Sequence, residues 1–289
     1  MDRAQYSTYG EIIYQDLLGR GKKPSSAKQW GSIITKFEQI CGNKSSYDRS
    51  DVIKYLAARR QAGIKQNTIN KELHALKLLW QLLEIDKFPK LSMPKVKDSD
   101  ISRPILAKDQ IIQLIQRSFD TVSPRYQAFL ALATVYGIRR EEITRINPSE
   151  HIKNGQLTIL TAKGGVPTNH IIPECLQPIL KHFDPTDVIY LSSVFRRICR
   201  ACGIKTGKRY GWHSIRRALV TELVISEASG LNIVRFMRWS DQTSGNGEFG
   251  MLTLYAKKDQ AQIDKQIFAV HPFLPVWENP INFNTKGVK

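Results

Sequence analysis

The sequence predicts a mostly α-helical protein with a small β-hairpin, divided into an N-terminal four-helix domain and a C-terminal domain of mixed α+β structure. Three observations lead to this prediction. Apolar residues recur at helical spacing through most of the chain, two short β-rich runs flank a turn that contains glycine, and a polar stretch with a proline interrupts the periodicity. With 289 residues, 42% of them hydrophobic, each domain can bury a core of its own.

The first third of the chain predicts four helices. They are expected around Glu11–Leu18, after a capping box at Ser26–Gln29, from Val52 to Gly63, and after a capping Thr68. Trp30 and Trp80 fall on the apolar stripes of the second and fourth helices, so we expect them to pack in the core. Lys71 and Lys77 lie on other faces of the fourth helix and are available to a ligand.

A linker and a second domain follow. The polar stretch around Pro94 predicts a helical domain over residues 1–95, a linker over 96–102, and a second domain with a C-terminal tail over 103–289. Helices of the second domain are expected at Ile111–Ile115, Tyr126–Tyr136, Leu176–His182, Val194–Cys202, Ser214–Glu227 and Gln260–Phe268. The runs Leu157–Thr161 and His170–Ile172 predict the hairpin, with Lys163–Gly165 at its turn.

The charge balance indicates a polyanionic partner. The chain has 43 Lys and Arg residues against 26 Asp and Glu residues, which gives a net charge of +17 and a pI near 9.8. Basic residues are in excess in both halves of the chain. Nucleic acid is therefore the favoured partner, although charge alone gives only sequence-independent binding and names no activity.

The cysteines and the N-terminus indicate the compartment. Four scattered cysteines do not form a disulfide framework and are typical of a reducing cytoplasm. Cys199 and Cys202 lie in a helix-like run without a second ligand pair, so we expect no metal and no cofactor. Because the N-terminus has no signal pattern and no apolar run reaches the ~18 residues of a membrane span, we expect a soluble protein with no membrane partner.

A fixed order of polar and basic residues marks the second domain. These residues are Arg139, Glu142, Lys163, His213, Arg216, Trp239 and Tyr255. Each has an ordinary structural explanation when taken alone, such as a surface arginine, a helix salt bridge or a core tryptophan. Their joint order is harder to explain in that way, and His213 with Arg216 is the strongest pair because residues i and i+3 share one helical face.

This order resembles the tyrosine recombinase family of integrases and Xer-type resolvases, over nearly the whole chain. Gly137–Glu142 is similar to the family's Gly-Leu-Arg-x-x-Glu patch, Ala162–Gly164 to its Gly-Lys-Gly turn, His213–Ala218 to its His-x-Leu-Arg-His motif, and Met237–Ser240 to Leu-Gly-His-Ser with tryptophan in place of the second histidine. The Asn67–Leu73 stretch likewise resembles the family's core-binding domain, which implies that the N-terminal four-helix domain clamps DNA.

The resemblance implies an enzyme that transfers DNA strands without a metal or ATP. Tyr255 would attack a DNA phosphate and form a 3′-phosphotyrosyl link with release of a 5′-hydroxyl. Arg139 and Arg216 would stabilise the charge that develops on the nonbridging oxygens. His213 would assist removal of the phenol proton, and Lys163 would protonate the leaving 5′-oxygen.

The remaining candidates would have supporting roles. Trp239 would supply an indole N–H and packing near the phosphate, and Glu142 would orient an arginine or the histidine. Two features differ from the family pattern. The segment Gln242–Glu248 looks inserted before Tyr255, and Arg217 stands where relatives often have histidine.

The implied partner is double-stranded DNA with inverted half-sites. The resemblance also implies a tetramer on DNA, in which a tail similar to Ala269–Pro272 docks onto a neighbouring protomer. Such a recombinase would be encoded by a bacterium, an archaeon or a phage and would act on host DNA in the cytoplasm.

Three alternatives remain open. A DNA-binding protein could keep this fold without cutting, although the complete set of groups argues against it. A type IB topoisomerase would use the same groups but carries a different N-terminal fold. An RNA-modifying protein is disfavoured because the sequence has no aromatic-rich β platform of the kind that single-strand binders use.

Overall fold

The computed structural model describes residues 8–96, 104–162, 167–207, 209–239 and 259–281. The chain divides into two compact units, Met1–Ser102 and Arg103–Lys289. Two of the candidate site residues, Lys163 and Tyr255, lie outside the described residues, as do the hairpin turn and the Gln242–Glu248 segment.

The first unit consists of helices. These are α1 (Tyr9–Gly19), α2 (Pro24–Cys41), α3 (Arg49–Gln61) and α4 (Gln66–Leu82). The existence of all four was predicted, but three of the predicted starts are wrong. The α3 helix begins at Arg49, capped by Asp48, rather than at Val52. The α2 helix begins at Pro24 rather than after a cap at Ser26, because proline's fixed φ suits the first helical position. The α4 helix begins at Gln66, so Thr68 lies inside its first turn and does not cap it.

The core of the first unit is aromatic and aliphatic. Trp80 is 2% exposed, and Trp30 packs against the core while remaining partly accessible. The buried Glu72 carboxylate is neutralised by Arg59, whose Nη2 lies 2.5 Å from Oε1. The opposite face of α4 exposes Lys71, His74 and Lys77 to solvent. The helix therefore separates a buried stripe from a basic one, as its amphipathic pattern predicts.

The second unit begins with two long helices and continues with shorter ones. Its helices are α5 (Lys108–Thr121), α6 (Pro124–Tyr136), α7 (Arg140–Ile143), α8 (Pro148–His151), α9 (Gln177–Leu180, after a 3-10 turn at Glu174–Leu176), α10 (Val188–Ala201), α11 (Trp212–Ile225), α12 (Gly230–Phe236), α13 (Gln260–Phe268) and α14 (Leu274–Glu278). The α6 helix is central, since every residue from Gln127 to Tyr136 is buried.

One antiparallel sheet completes the second unit. Its strands β1 (Ile152–Lys153), β2 (Gln156–Ile159) and β3 (Thr168–Ile171) lie in the order β1-β2-β3. In the predicted hairpin, Leu157 pairs with His170. The two-residue strand β1 was not predicted, because so short a run has no detectable alternation. The predicted fold class, mostly α with a small β-sheet, is confirmed.

The described C-terminal segment packs on its own chain. The α13 helix lies against α12 and β3, and α14 lies against α5 and α6. His271 Nε2 is 3.0 Å from the Val135 carbonyl oxygen, and Trp277 Nε1 donates to Thr134 Oγ1 at 3.0 Å. Both side chains therefore join this segment to the buried α6 helix.

The described residues contain neither a membrane-spanning helix nor a metal-binding cluster. Across these ranges, none of the helices combines the length and the apolar character that crossing a membrane requires. The same residues contain no cluster of three or more His, Cys, Asp or Glu side chains arranged to hold a metal ion.

Candidate active site

Arg139 and Glu142 lie on the short turn that follows α6. Gly137 ends α6 in the left-handed conformation, with φ of +55°, and so redirects the chain toward α7. The Glu142 carboxylate then accepts from the Arg139 backbone N–H at 2.9 Å through Oε2 and from Arg139 Nη1 at 2.6 Å through Oε1. The sequence predicted Glu142 as an orienting residue, and this bidentate contact is suited to that role.

Glu142 is buried, yet the pKa of its carboxyl is below the ordinary value. Burial by itself raises the pKa of its carboxyl, but the positive charge of Arg238 and the hydrogen bonds from Arg139 outweigh this effect and lower the pKa below its ordinary value. The carboxylate is therefore ionised at neutral pH. It can hold Arg139 in one orientation through charge-assisted hydrogen bonds.

Arg216 lies on the second turn of α11, and 6% of its surface is exposed. Its guanidinium donates to the carbonyls of Gly137 and Met237. Burial, and then the nearby charges of Arg238 and Arg139, lower the pKa of this guanidinium well below its usual value. Within the described part of the chain its hydrogen-bond partners are carbonyls, so Arg216 carries a buried positive charge that an anion would stabilise.

The tertiary structure brings the two arginines to one place. Arg139 Nη2 donates to the carbonyl of Arg238 at 3.4 Å, while Arg216 donates to the carbonyl of the preceding residue, Met237. The two guanidiniums therefore bind consecutive peptide groups just after α12. Convergent guanidiniums of this kind can bind one phosphate or sulfate-like anion bidentately.

His213 is one helical turn from Arg216 but faces a groove. This groove has a volume of about 850 Å³, and its lining includes Arg139, Arg140, Tyr210 and His213. The His213 side chain is exposed to solvent on one side. Partial burial of the ring, and then the charges of the surrounding arginines, lower its pKa below the ordinary value. The imidazole is therefore neutral at pH 7 and can accept a proton.

Trp239 is the third residue after α12, and 38% of its surface is exposed. Its backbone N–H donates to the Val234 carbonyl at 3.0 Å, which fixes the start of the segment that leads toward Tyr255. Trp239 is next in the chain to Arg238, whose carbonyl accepts from Arg139. Of the sequence-predicted residues, the structure thus groups Arg139, Glu142, His213, Arg216 and Trp239.

Arg238 is a further member of the cluster that the sequence motifs did not identify. Its side chain is 1% exposed and its Nη2 lies 3.3 Å from Glu142 Oε2. The available signal was the position itself, since the motif that Met237–Ser240 resembles has glycine there. A sequence does not show which way such an arginine points.

Comparisons with known proteins identify the fold. No protein-family model matches the sequence, and no curated protein sequence matches it. Solved structures do match. A lambda integrase tetramer bound to a Holliday junction aligns with a TM-score of 0.64 at 16% identity, over 83% of this chain and 79% of that one. The lambda integrase (75–356) dimer bound to a COC′ core site gives 0.62 at 16% identity, over 86% and 96%.

A transposon protein matches over a larger share of the chain. The Tn1549 transposon integrase in complex with transposon right end DNA aligns with a TM-score of 0.58 at 14% identity, over 91% of this chain and 99% of that one. With 86% and 91% of this chain aligned, the matches extend over both units. We conclude that the chain has the tyrosine recombinase fold.

Proposed function

We propose that the protein is a site-specific DNA recombinase that cuts and rejoins DNA through a covalent intermediate on Tyr255. The tyrosine Oη forms a bond to the phosphorus of a backbone phosphate, and the bond from phosphorus to the 5′-oxygen breaks. The phenol proton passes to a base, and the 5′-oxygen takes up a proton from an acid. Attack by another 5′-hydroxyl on the 3′-phosphotyrosyl link reverses these steps and joins new partners.

The observation that carries this proposal is the convergence of Arg139 and Arg216 on consecutive carbonyls beside Trp239. Together with Arg238, these residues bring three positive charges to a site whose bonded carboxylate, among the described residues, is Glu142. The excess positive charge matches a phosphate that gathers negative charge during attack. Preorganised donors of this kind typically contribute about 10²–10³-fold each to such reactions.

The proton transfers are assigned to His213 and Lys163. A neutral imidazole can accept the phenol proton, and the lowered pKa of His213 keeps it neutral at physiological pH. Lys163 would protonate the 5′-oxygen. The bond from Arg145 Nη1 to the Thr161 carbonyl, at 2.9 Å, supports this assignment because it ties the chain just before Lys163 to the residues that follow Glu142.

Trp239 is proposed to donate its indole N–H to the phosphate. Tryptophan has no titratable proton at neutral pH, so its contribution would be hydrogen bonding and exclusion of water rather than proton transfer. Its exposed surface supports a contact with substrate. Glu142 is proposed to orient Arg139 through their 2.6 Å ion pair.

Double-stranded DNA with inverted half-sites is the proposed substrate. The net charge of +17 supports a DNA partner. We also propose that the helical domain of residues 1–95 and the catalytic domain of residues 103–289 clamp the duplex through phosphate contacts, with residues 96–102 as the linker. The solvent-exposed row of Lys71, His74 and Lys77 on α4 supports a role of the first unit in this contact.

Recombination would require a tetramer on DNA, as in the lambda integrase complex with a Holliday junction. The proposed contact between protomers uses the C-terminal tail. Because His271 of this tail packs on α6 of its own chain, the tail must either leave α6 or meet the neighbour from that position. We propose that the protein is encoded by a bacterium, an archaeon or a phage and acts on host DNA in the cytoplasm.

A trapping experiment tests the proposal. Duplexes with randomised inverted half-sites and a nick beside the central region are incubated with the protein, so that cleavage releases a short fragment and prevents religation. The expected result is a protein–DNA adduct that survives SDS, whose tryptic peptide carries the nucleotide on Tyr255. The Tyr255→Phe variant should bind the same selected duplexes without forming the adduct.

Two outcomes would contradict the proposal. Selective binding of duplexes with no adduct on any of them would favour a DNA-binding protein that keeps the fold without cutting. An adduct formed equally by Tyr255→Phe would show that another group is the nucleophile. If the recovered sequences lacked inverted symmetry, only the proposal of paired half-sites would be contradicted, and the cleavage chemistry would stand.

A further inference from the structure

Arg238 has an unusual backbone conformation for its residue type. It follows α12 with φ of +53°, in the left-handed region that favours glycine. Its guanidinium is also buried, since the side chain is 1% exposed. A charged residue held in such a conformation must be compensated by its surroundings, and outliers of this kind concentrate at functional sites.

The guanidinium of Arg238 joins three parts of the second unit. Its Nη1 donates to the Phe236 carbonyl at 2.9 Å, and its Nη2 donates to the Tyr136 carbonyl at 3.2 Å and to Glu142 Oε2 at 3.3 Å. The Arg238 carbonyl meanwhile accepts from Arg139 Nη2 at 3.4 Å. Arg238 is thus bonded both to Glu142 and to the arginine that Glu142 orients.

A buried histidine supports Arg238 from the sheet. Arg238 Nη1 lies 3.4 Å from His170 Nε2, and since an arginine can only donate, this nitrogen is the acceptor. The other ring nitrogen, Nδ1, then carries the proton and donates to Asp264 Oδ1 at 2.9 Å. Asp264 Oδ2 accepts from the Ile171 N–H at 2.7 Å. Strand β3 and helix α13 therefore fix the histidine that faces Arg238.

We propose that Arg238 is a positioning residue for the cleavage reaction, which holds Glu142 through Oε2 while the Arg139 guanidinium binds Oε1, and thereby leaves that guanidinium oriented toward the phosphate. This inference rests on the proposed function. Glu142 Oε1 binds Arg139, whereas Oε2 is shared between the Arg139 N–H and Arg238. Without Arg238 the whole carboxylate charge would act on Arg139 and compete with the phosphate.

The electrostatics of Glu142 agree with this division. The charged and titratable groups that face it are Arg139, Arg238, Arg216 and His170 with its partner Asp264. Among them the charge of Arg238 is the largest influence that lowers the Glu142 pKa against the effect of burial. Arg238 itself has its pKa lowered to about 10, first by burial, and therefore stays protonated at neutral pH.

The test compares adduct formation by the full-length protein with that of three Arg238 variants on one duplex selected by trapping. Arg238→Gly accepts the positive φ but removes the guanidinium, and Arg238→Met keeps most of the side-chain volume. At saturating DNA we expect the adduct rate to fall by about 10- to about 100-fold for both, because small displacements of a catalytic group have effects of this size. DNA affinity should fall far less than the rate, since the Arg238 side chain is only 1% exposed.

The conservative variant and a matched control separate positioning from general stability. Arg238→Lys keeps the charge but cannot bond Glu142 and the Tyr136 carbonyl together, so its rate should lie between those of wild type and Arg238→Gly. Arg59→Met removes a buried arginine–glutamate pair far from the proposed site in sequence, Arg59 with Glu72 in the first unit, and should leave the adduct rate of the folded protein unchanged. Circular dichroism reports whether each variant is folded.

A folded Arg238→Gly or Arg238→Met protein that forms the adduct at the wild-type rate would overturn the proposal. If neither variant folds, Arg238→Lys provides the test, and a wild-type adduct rate in that variant would also overturn the proposal. Failure of the proposed function is a different result, namely no adduct with wild type. The positioning is then still measurable by NMR titration of Glu142, whose pKa should rise when Arg238 is replaced and would be unchanged if Arg238 had no such role.

Discussion

Arg139 and Arg216 are bonded to consecutive peptide carbonyls, those of Arg238 and Met237. The two arginines come from different parts of the chain, Arg139 from the N-cap of α7 and Arg216 from α11, and meet only because both reach the residues that follow α12. Any displacement of this short segment moves both guanidiniums at once. The geometry of the proposed phosphate site therefore depends on backbone groups as much as on the arginines themselves.

Replacing Arg216 by lysine should reduce both stability and cleavage. A lysine ammonium cannot bond the Gly137 and Met237 carbonyls with the same planar geometry, so a buried charge loses hydrogen bonds. We expect a loss of about 1–3 kcal/mol in the free energy of unfolding. The adduct rate should fall by about 10²-fold or more. Urea unfolding and trapping measure the two effects.

Arg217 offers the matched control for this change. It is adjacent on α11, and its Nη1 donates to the Pro104 carbonyl at 3.2 Å. Arg217→Lys should leave the adduct rate near that of wild type. Equal losses in the two variants would argue against a special role for Arg216.

Gly137→Ala should destabilise the second unit and slow cleavage. The position has φ of +55°, and an added Cβ would lie 2.6 Å from Met237 Cε and 3.2 Å from Leu219 Cδ2. The Met237 side chain would have to move, and its carbonyl binds Arg216. Gly155→Ala is the control, since Gly155 has φ of +68° and no atom within 4 Å of the added Cβ.

Both glycine substitutions should cost about 1 kcal/mol of stability from the backbone conformation. The additional loss in Gly137→Ala, and any effect on the adduct rate, reports the close approach to Met237. Thermal unfolding and trapping on the same duplex give the comparison. Identical behaviour of the two variants would show that the approach has no consequence.

The rate of cleavage should depend on pH through His213. The burial and neighbouring arginines that lower its pKa favour the neutral ring, which is the form that accepts the phenol proton. The adduct rate should therefore fall on acidification, with a midpoint below the ordinary histidine value of about 6.5. In His213→Gln this acid limb should disappear and the rate should be lower at all pH values. A midpoint above the ordinary value would contradict the assignment.

The second unit should become less stable as the pH is lowered, because of His271. Burial lowers the pKa of this residue to about 4, and its Nδ1 accepts from the Phe273 and Leu274 N–H groups. The folded state therefore binds its proton less readily than the unfolded state, whose histidine has a pKa of about 6.5. The contribution of His271 to the free energy of unfolding is then fully present above about pH 6.5. It is lost as the pH falls toward about 4, by roughly 3 kcal/mol in total.

Urea unfolding at neutral and mildly acidic pH, followed by tryptophan fluorescence, measures this loss. In His271→Gln the histidine contribution to the pH dependence should vanish, although the variant is less stable at pH 7. A wild-type slope in His271→Gln would rule out the assignment.

Local sequence rules predicted helices better than they predicted helix boundaries. Apolar spacing identified all four helices of the first unit, because a buried stripe must recur with the helical period. The caps at Ser26 and Thr68 were wrong since Pro24 and Gln66 begin these helices. A capping residue is a weak constraint on where a helix starts, because packing of the preceding turn can extend it.

Arg238 and His170 show where sequence information ended for the site. Both are polar residues that a sequence alone would assign to a surface. Whether such a side chain turns inward depends on partners distant in the chain, and here those are Glu142 for Arg238 and Asp264 for His170, 96 and 94 positions away. A buried charge such as that of Arg238, or a buried polar ring such as that of His170, is tolerated in the interior only because these partners are there.

The sequence by itself determined the types and order of the groups available for phosphate chemistry, and the amphipathic stripes that make the chain mostly helical. These properties follow from residue identity and spacing, which act over a few residues. Only the tertiary structure decided that Arg216 binds the carbonyl of Gly137, 79 positions earlier, and that Arg139 and Arg238 share one carboxylate. Such contacts depend on how buried elements pack, because a buried charge is stable only where the whole fold supplies its partners.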